Sequence, residues 1–468
     1  MRALTLIWLV ACGSGDKLRD SSKSSTTPTS TETETTTTGD TTVPTGPQGL
    51  IQFDGPVPRN ILWISIDTLR QDVWSRYGGD DLMPFLDGLM AEGFVLDDAH
   101  QCGNWTGAGT SCTMSGRHGI DAGFEPILGA REGESIPDDS IFLAEVLRDS
   151  GYVTELISTN GWLDPAWGNT QGFDTFRAMG GAKAGPVMDT LIPDLLALPD
   201  DQSWFFHAHL YDPHAPYDPP EEYLERLEGR TELPWDLSMR DEHYAVNAGA
   251  GYADLSPGMK AELETQLRIR YEAECTYMDD MLQDAWRLLD ASGRLDDTLV
   301  VFWADHGEAF WEHGNQTHAW DLYDPENQVI AFFWAKNIRP GSYDGPVSTI
   351  DIAPTMLDLY GVEPPATMTG QIIDDIEPDR VRYSMSIARA GVVQSVVRDT
   401  RRIQFYWSDG RVVVTNAADD PSEAVNLYAP DDPTTLEMWE LLKPRVEQAE
   451  GVINTSRWPL TWPPELPR

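Results

Sequence analysis

Basic residues are scarce: Lys and Arg total 33 against 76 Asp and Glu, a formal net charge of −43 over 468 residues. Such a chain repels phosphate backbones and anionic membrane faces, which excludes nucleic-acid binding as a function class. An anionic substrate would need a local positive centre, and a bound metal ion is the natural one in so acidic a chain. Cysteine is sparse too, with Cys12, Cys102, Cys112 and Cys275 only, and none falls in a zinc-finger spacing. The apolar run from Ala3 to Ala11 is far short of the roughly 20 residues that span a bilayer. Internal repeats are absent. What the chain does have is 41% hydrophobic residues, enough for a large core.

The first residues, "MRALTLIWLVACGSGD", place one arginine, an apolar stretch and a cysteine followed by small residues. They read as an export signal. "LVAC" resembles a bacterial lipobox, which predicts a signal peptide over residues 1–12, lipid on Cys12 and a membrane-anchored protein facing the periplasm or cell exterior. An ordinary secretory signal cleaved elsewhere is the alternative. Residues 13–53, rich in Ser, Thr, Gly and Pro, have almost nothing to bury and are expected to be a disordered tether. Setting Cys12 aside leaves an odd number of cysteines in an oxidising compartment. A Cys102–Cys112 disulfide is one pairing the spacing allows. Cys275 falls on the helical repeat Leu267, Tyr271, Cys275, Met278, Leu282 and Leu289, and is read as a buried apolar residue.

Short apolar runs then alternate with amphipathic stretches: "NILWISI" (60–66), "YVTELIST" (152–159), "SWFFHAHL" (203–210), "TLVVFWA" (298–304) and "QVIAFFWA" (328–335). The pattern predicts an α/β fold with a mostly parallel central sheet flanked by helices. Past residue 370 two β-rich runs surround an "SDG" turn, predicting a small antiparallel C-terminal subdomain. The expected division is a catalytic domain over residues 54–370 and a C-terminal subdomain over 371–468.

Ligands collect at the carboxyl ends of strands in such sheets. Those ends are polar here. Asp67 and Thr68 follow the first run; His209, Asp212 and His214 close the third; Asp305 and His306 follow the fourth. "ADHGEAFWEHGNQTHAW" adds Glu308, His313 and His318, and six of the nine histidines fall within 207–214 and 306–318. Carboxylates and imidazoles drawn from separate strand ends are how a divalent-metal site is assembled. Asp67 taken alone is equally a helix cap, and His209 equally a satisfied core histidine.

"NILWISIDTLRQDVWSRYGGDDLMPFLDGLMAEG", "HLYDPHAPYDPP", "YEAECTYMDDMLQDAWRLLDASGRLDDTLVVFWADHGEAFWEHG", "STIDIAPTMLDLYGV" and "DDPSEAVNLY" follow one another along the chain. In that order, over about residues 58–430, they resemble the sulfatase family of the alkaline phosphatase superfamily. The resemblance implies an alkaline phosphatase-like fold and a metal-dependent hydrolase of sulfate or phosphate esters. It also implies a nucleophile at a helix start, in a pattern ending S/T-G-R. Aligning on "SGR" (115–117) puts Thr106 there.

Many sulfatases carry C-x-P-S-R at that place, with the cysteine oxidised to formylglycine. Here the stretch reads "TGAGT", so no formylglycine is expected, and Thr110 stands where the usual arginine would be. Cys112 lies six positions too late. "NWTGAGT" is closer to the W-T-x-P-S branch and to the phosphoglycerol and phosphoethanolamine transferases, which use an unmodified threonine, although Ala108 and Gly109 replace the usual proline and serine.

By the same resemblance Asp67, Thr106, Asp305 and His306 would hold one divalent ion, with Mn²⁺, Ca²⁺, Mg²⁺ and Zn²⁺ all admissible. His214 and His318 would bind the nonbridging oxygens of a tetrahedral anion. His318 stands where many sulfatases have a lysine, and Thr68 where they often have a second aspartate. The partners implied are an anionic ester and, through Cys12, a membrane. Two readings compete with hydrolysis: a phosphoglycerol- or phosphoethanolamine-type transferase, and a non-catalytic sulfatase-like binding lipoprotein whose "GAG" has loosened the nucleophile turn. A purely structural surface protein would explain the acidity but not the histidine clusters.

Overall fold

The computed structural model describes residues 49–126, 135–231, 233–237 and 250–468, so the expected signal peptide and most of the expected tether lie outside the described residues. The described chain from residue 49 onward belongs to one compact unit. Residues 49–53 of the expected tether are anchored in it: Leu50 N–H donates to Asp374 Oδ1 (2.6 Å), and Phe53 pairs with Ile338 in an antiparallel bridge.

The centre is a nine-stranded sheet. Its strands are β1 (Asn60–Ile66), β2 (Phe94–His100), β3 (Val153–Ser158), β4 (Thr175–Ala178), β5 (Trp204–Leu210) and β6 (Thr298–Ala304). A small ribbon of β7 (Ala309–Phe310) and β8 (Gln316–Thr317) follows, and then β9 (Gln328–Trp334), β10 (Gly341–Tyr343) and β11 (Val347–Ser348) return to the sheet. The order is β10-β2-β9-β6-β1-β5-β3-β4, with β11 also on β2. Strand β9 runs antiparallel to β2 and β6, and all other pairings in the sheet are parallel. The expectation of a mostly parallel sheet holds, with β9 reversed. Every residue of β1, β5 and β6 is buried, as strands covered on both faces must be, which is why they read as continuous apolar runs.

Strand β2 gave no such run because Asp97 and Asp98 sit inside it. A bulge between Leu96 and Ala99 bends the strand there. Asp97 is held by Arg76 (2.6 Å), while Asp98 reaches Arg382 (2.5 Å) and His100 (3.2 Å).

The helices that shape the site are α1 (Pro84–Glu92), α2 (Thr106–Ser115), α3 (Leu143–Asp149), α4 (Ala184–Ala197) and α5 (Pro257–Ala291). Helix α5 starts where Ser256 caps it, accepting from Met259 N–H, with Pro257 at the first position. Leu267, Tyr271, Cys275, Met278, Leu282 and Leu289 all face the core, so Cys275 is the buried apolar residue its spacing predicted. After α6 (Ile352–Leu359) come four antiparallel strands, β12 (Arg382–Ala388), β13 (Gly391–Arg398), β14 (Arg401–Tyr406) and β15 (Val412–Asn416), backed by α7 (Pro433–Val452). The "SDG" turn joins β14 to β15, with Gly410 at φ 72°. Strand β12, "RYSMSIA", escaped the sequence reading because its alternation of polar residues offers no apolar run.

One buried ionic cluster fixes the loop after β5. Asp212 accepts from Ala184 N–H (2.6 Å) at the start of α4, and Glu274 on α5 accepts from Asp218 N–H (2.8 Å). Lys183 bridges the two carboxyls, 2.7 Å from Glu274 and 3.4 Å from Asp212. Burial pushes the Glu274 carboxyl up to about 8 despite the lysine. Removing one partner of a buried pair leaves an uncompensated charge. Lys183→Met is therefore expected to destabilise the protein by about 2 kcal/mol at pH 8. Acids whose folded-state pKa is raised can escape by protonating, so the loss should shrink as the pH falls through the window from about 8 towards ordinary carboxylate values. Urea unfolding at pH 5 and pH 8 checks this, and a loss independent of pH would refute it.

Candidate active site

Strands β1 and β6 are neighbours in register, Ile66 opposite Ala304, so the residues that follow them emerge together. Asp305 N–H donates to Ile66 O (3.3 Å), and Asp67 N–H donates to Leu210 O at the end of β5 (3.0 Å). Asp67, Asp305 and His306 are fully buried. Thr68, at φ 58°, takes a left-handed turn that a β-branched residue adopts only under constraint. Its N–H donates to Asp305 Oδ1 (3.2 Å), and its carbonyl accepts from the Tyr271 hydroxyl (2.8 Å).

Acceptor atoms of Asp67, His209 and Asp305 lie within 4.8 Å of one another. His306 Nε2 is 3.4 Å from Asp67 Oδ1 and 3.7 Å from Asp305 Oδ1. His209 was ambiguous in sequence, and its hydrogen bonds give it an orientation. The Thr159 hydroxyl donates to His209 O (2.9 Å), so its oxygen accepts from His209 Nδ1–H (2.9 Å). That leaves the Nε2 lone pair facing Asp305 Oδ2 (3.4 Å) and Asp67 Oδ2 (3.9 Å). A lone pair turned towards two carboxylates is repulsive without a cation among them. Asp67 Oδ1, buried and without a hydrogen bond, and Thr68 Oγ1, likewise buried and unpartnered, are further donors to spare. The group fits a divalent ion by its chemistry.

The two carboxylates draw positive charge onto their neighbours. Burial would raise the Asp67 carboxyl, but His214, His306 and His209 hold it well below the carboxylate range. Burial would lower His306, but Asp305 and Asp67 lift it to about 10.

Helix α2 carries Thr106 as its first residue, after an extended Trp105. All ten residues of α2 are buried. A Cys102–Cys112 disulfide ties the preceding loop to it. Gly109 lies so close to the Asp305 carbonyl that no Cβ fits between them, and a Cβ at Gly107 would strike the Trp105 ring. The "GAG" sequence is thus a close-packing device, and the turn is tight rather than loosened. Thr106 Oγ1 accepts from Asn160 Nδ2 (3.0 Å) and lies 3.4 Å from His306 Nε2. The same Asn160 amide donates to Asp67 Oδ2 (2.8 Å). Thr110, one turn along α2, has a buried hydroxyl with no hydrogen-bond partner.

His214 and His318 meet at the same place, ring centroids 5.1 Å apart, with His306 and His318 at 4.3 Å. His318 Nδ1 lies 3.0 Å from Glu308 Oε1, whose other oxygen accepts from the Tyr217 hydroxyl (3.0 Å). Burial, then the charges of His306 and His214, push the His318 ring well below its ordinary value. The residues flanking His318 are in left-handed conformations, Thr317 at φ 68° and Ala319 at φ 71°.

The structure therefore gathers Asp67, Thr106, His214, Asp305, His306 and His318 at one end of the sheet. Two histidines of the clusters stay out: His207 bonds Ser65 inside the core (2.7 Å), and His313 stacks on Tyr323 at 3.6 Å. Asp212 is structural. Asn160 was missed, although it lies two residues beyond β3, where the strand-end rule looks.

The sequence profile of the sulfatase family matches residues 59–362. A protein named "Sulfatase" from Formosa agariphila is 23% identical over 419 residues, covering 78% of this chain and 82% of that protein. Among solved structures, BT4656 in complex with its substrate D-glucosamine-2-N,6-O-disulfate superposes with a TM-score of 0.67 at 18% identity, over 84% of this chain and 98% of that one. The phosphonate monoester hydrolase SpPMH from Silicibacter pomeroyi gives 0.66 at 20% identity, over 84% and 96%. With a central sheet of this order, an antiparallel C-terminal sheet and a profile match across most of the chain, the protein belongs to the sulfatase family of ester hydrolases.

Proposed function

We propose that the protein hydrolyses a sulfate or phosphorus monoester with Thr106 as nucleophile. One divalent cation would be held by Asp67, Thr106, Asp305 and His306, with His209 as a further donor. The observation that carries this reading is the convergence on Thr106 Oγ1, which touches Asn160 and His306 beside the two buried carboxylates. A divalent ion bound there would favour the threonine alkoxide and polarise the ester.

The chain's own residues supply the rest. Asn160 orients Thr106 Oγ1, and the N-terminus of α2 directs its free N–H groups and dipole towards the anion. His214 and His318 bind the nonbridging oxygens, Glu308 fixing the His318 ring. As Thr106 gives its hydroxyl proton to solvent and its Oγ1 bonds to sulfur or phosphorus, the bond to the leaving oxygen breaks, and that oxygen takes up a proton from solvent. Water then cleaves the threonine ester, releasing sulfate, phosphate or the phosphonate and restoring the hydroxyl. The disulfated sugar of BT4656 and the phosphonate monoesters named for SpPMH frame the substrate choice. A sulfated sugar or an alkyl or aryl phosphorus monoester suits the same site. Export and lipid attachment at Cys12 complete the proposal, resting on the "LVAC" sequence alone.

Thr106→Ala is expected to remove turnover of 4-nitrophenyl phosphate and 4-nitrophenyl sulfate, whichever the wild type cleaves, while costing about 1 kcal/mol of stability, the size of its one hydrogen bond with Asn160. Paired kinetics and thermal melts check it. Full activity in Thr106→Ala would end the covalent route and leave water as the attacking group. Divalent metal content, competed against a chelator, should fall about 10- to 100-fold in affinity in His209→Ala, since losing a donor or its orienting partner has effects of that size. Unchanged affinity would remove His209 from the ligand set.

A further inference from the structure

The turn between β12 and β13 brings a cation to the rim of the site. Arg389 on that turn is exposed, donates from Nη1 to Thr317 Oγ1 (2.5 Å) and lies 5.7 Å over the Trp320 ring. Its backbone N–H donates to Ala319 O (3.0 Å). Ala388, just before it, packs with Ala319, Trp105 and Ala108 in one small buried cluster, and Trp105 precedes Thr106. The guanidinium's charge is felt by both His318 and Glu308.

Most of the arginine's hydrogen-bonding capacity is unspent. A guanidinium has five N–H donors, and Arg389 forms no ion pair among the described residues, in a chain with 76 acidic side chains. Beside Asn160 stands a cluster of three tryptophan rings. Trp162 N–H donates to Asn160 Oδ1 (3.0 Å), the Trp162 ring meets Trp105 at 5.2 Å, and Trp167 lies 5.0 Å beyond, both outer rings being half-buried. Aromatic rings beside Asn160 and a guanidinium with most of its donors free suit a ring that carries its own negative charge.

We propose that Arg389 is a specificity-determining residue that binds a second anionic group on the leaving-group side of the ester, so that preferred substrates carry a carboxylate or a further sulfate or phosphate on a ring beside the scissile group. This rests on the ester-hydrolase reading above. The competing role is a brace: Arg389 touches both strained neighbours of His318, one through its side chain and one through its backbone. A brace would serve every substrate alike.

Phenyl phosphate and 3-carboxyphenyl phosphate, with the two corresponding sulfates, separate these roles when assayed on metal-supplied enzyme. Arg389→Met should lose about ten-fold in kcat/KM, through KM, on the carboxylated ester and less than about two-fold on the plain one, the size of one charge-assisted contact. Arg389→Lys should keep part of the preference. Equal losses on both esters, or a loss confined to kcat, would assign the brace role and overturn the proposal. If the wild type cleaves none of the four esters, it is the hydrolase reading that fails. Calorimetric titration of the two phosphates into wild type and Arg389→Met then decides: weakening confined to the carboxylated ligand supports the proposal, and equal affinities overturn it.

Discussion

Two carboxylates with no exposure to water, Asp67 and Asp305, stand at the ends of adjacent parallel strands. Placing two negative charges there is among the most unfavourable acts a fold can perform, and it persists only where donors or cations surround it. The neighbourhood is organised accordingly. Thr68 adopts a left-handed turn so that its N–H reaches Asp305, Asn160 spends its amide on Asp67, and His306 lies between both carboxyls. The same demand explains why a metal ion suits a chain whose overall charge is already strongly negative.

The other half of the site arrives through packing. Helix α2 is buried along its whole length and meets the β6 end at the Asp305 carbonyl, which sets how closely Thr106 approaches the acidic pair. The Lys183, Asp212 and Glu274 cluster holds the loop bearing His214, and Glu308 holds His318. Each of these contacts joins segments far apart in sequence. The site is therefore a product of the whole sheet.

That distribution decides what could be read from sequence. Strands buried on both faces announce themselves as apolar runs, so β1, β5 and β6, and with them Asp67, Asp305 and His306, were legible. Thr106, and the roles of His214 and His318, came from the order of motifs, which carries information that periodicity does not. Strand β2 was hidden because its acids pair with Arg76 and Arg382 from distant segments, and β12 because its alternation has no apolar block. His209 stayed undecided since a histidine in a core strand is usually satisfied locally. Only the Thr159 hydroxyl, donating elsewhere, shows which nitrogen is left over. Asn160 follows a recognised strand, but an asparagine before a glycine reads as a turn.

The contact between Gly109 and the Asp305 carbonyl bears on how this chain could change over evolutionary time. In the signature C-x-P-S-R, a serine would occupy position 109, and its Cβ has no room while α2 and the β6 loop keep their present separation. A codon change at position 106 alone therefore does not create that signature. Building it requires two segments almost 200 residues apart in sequence to separate together, so no single substitution at this turn reaches it.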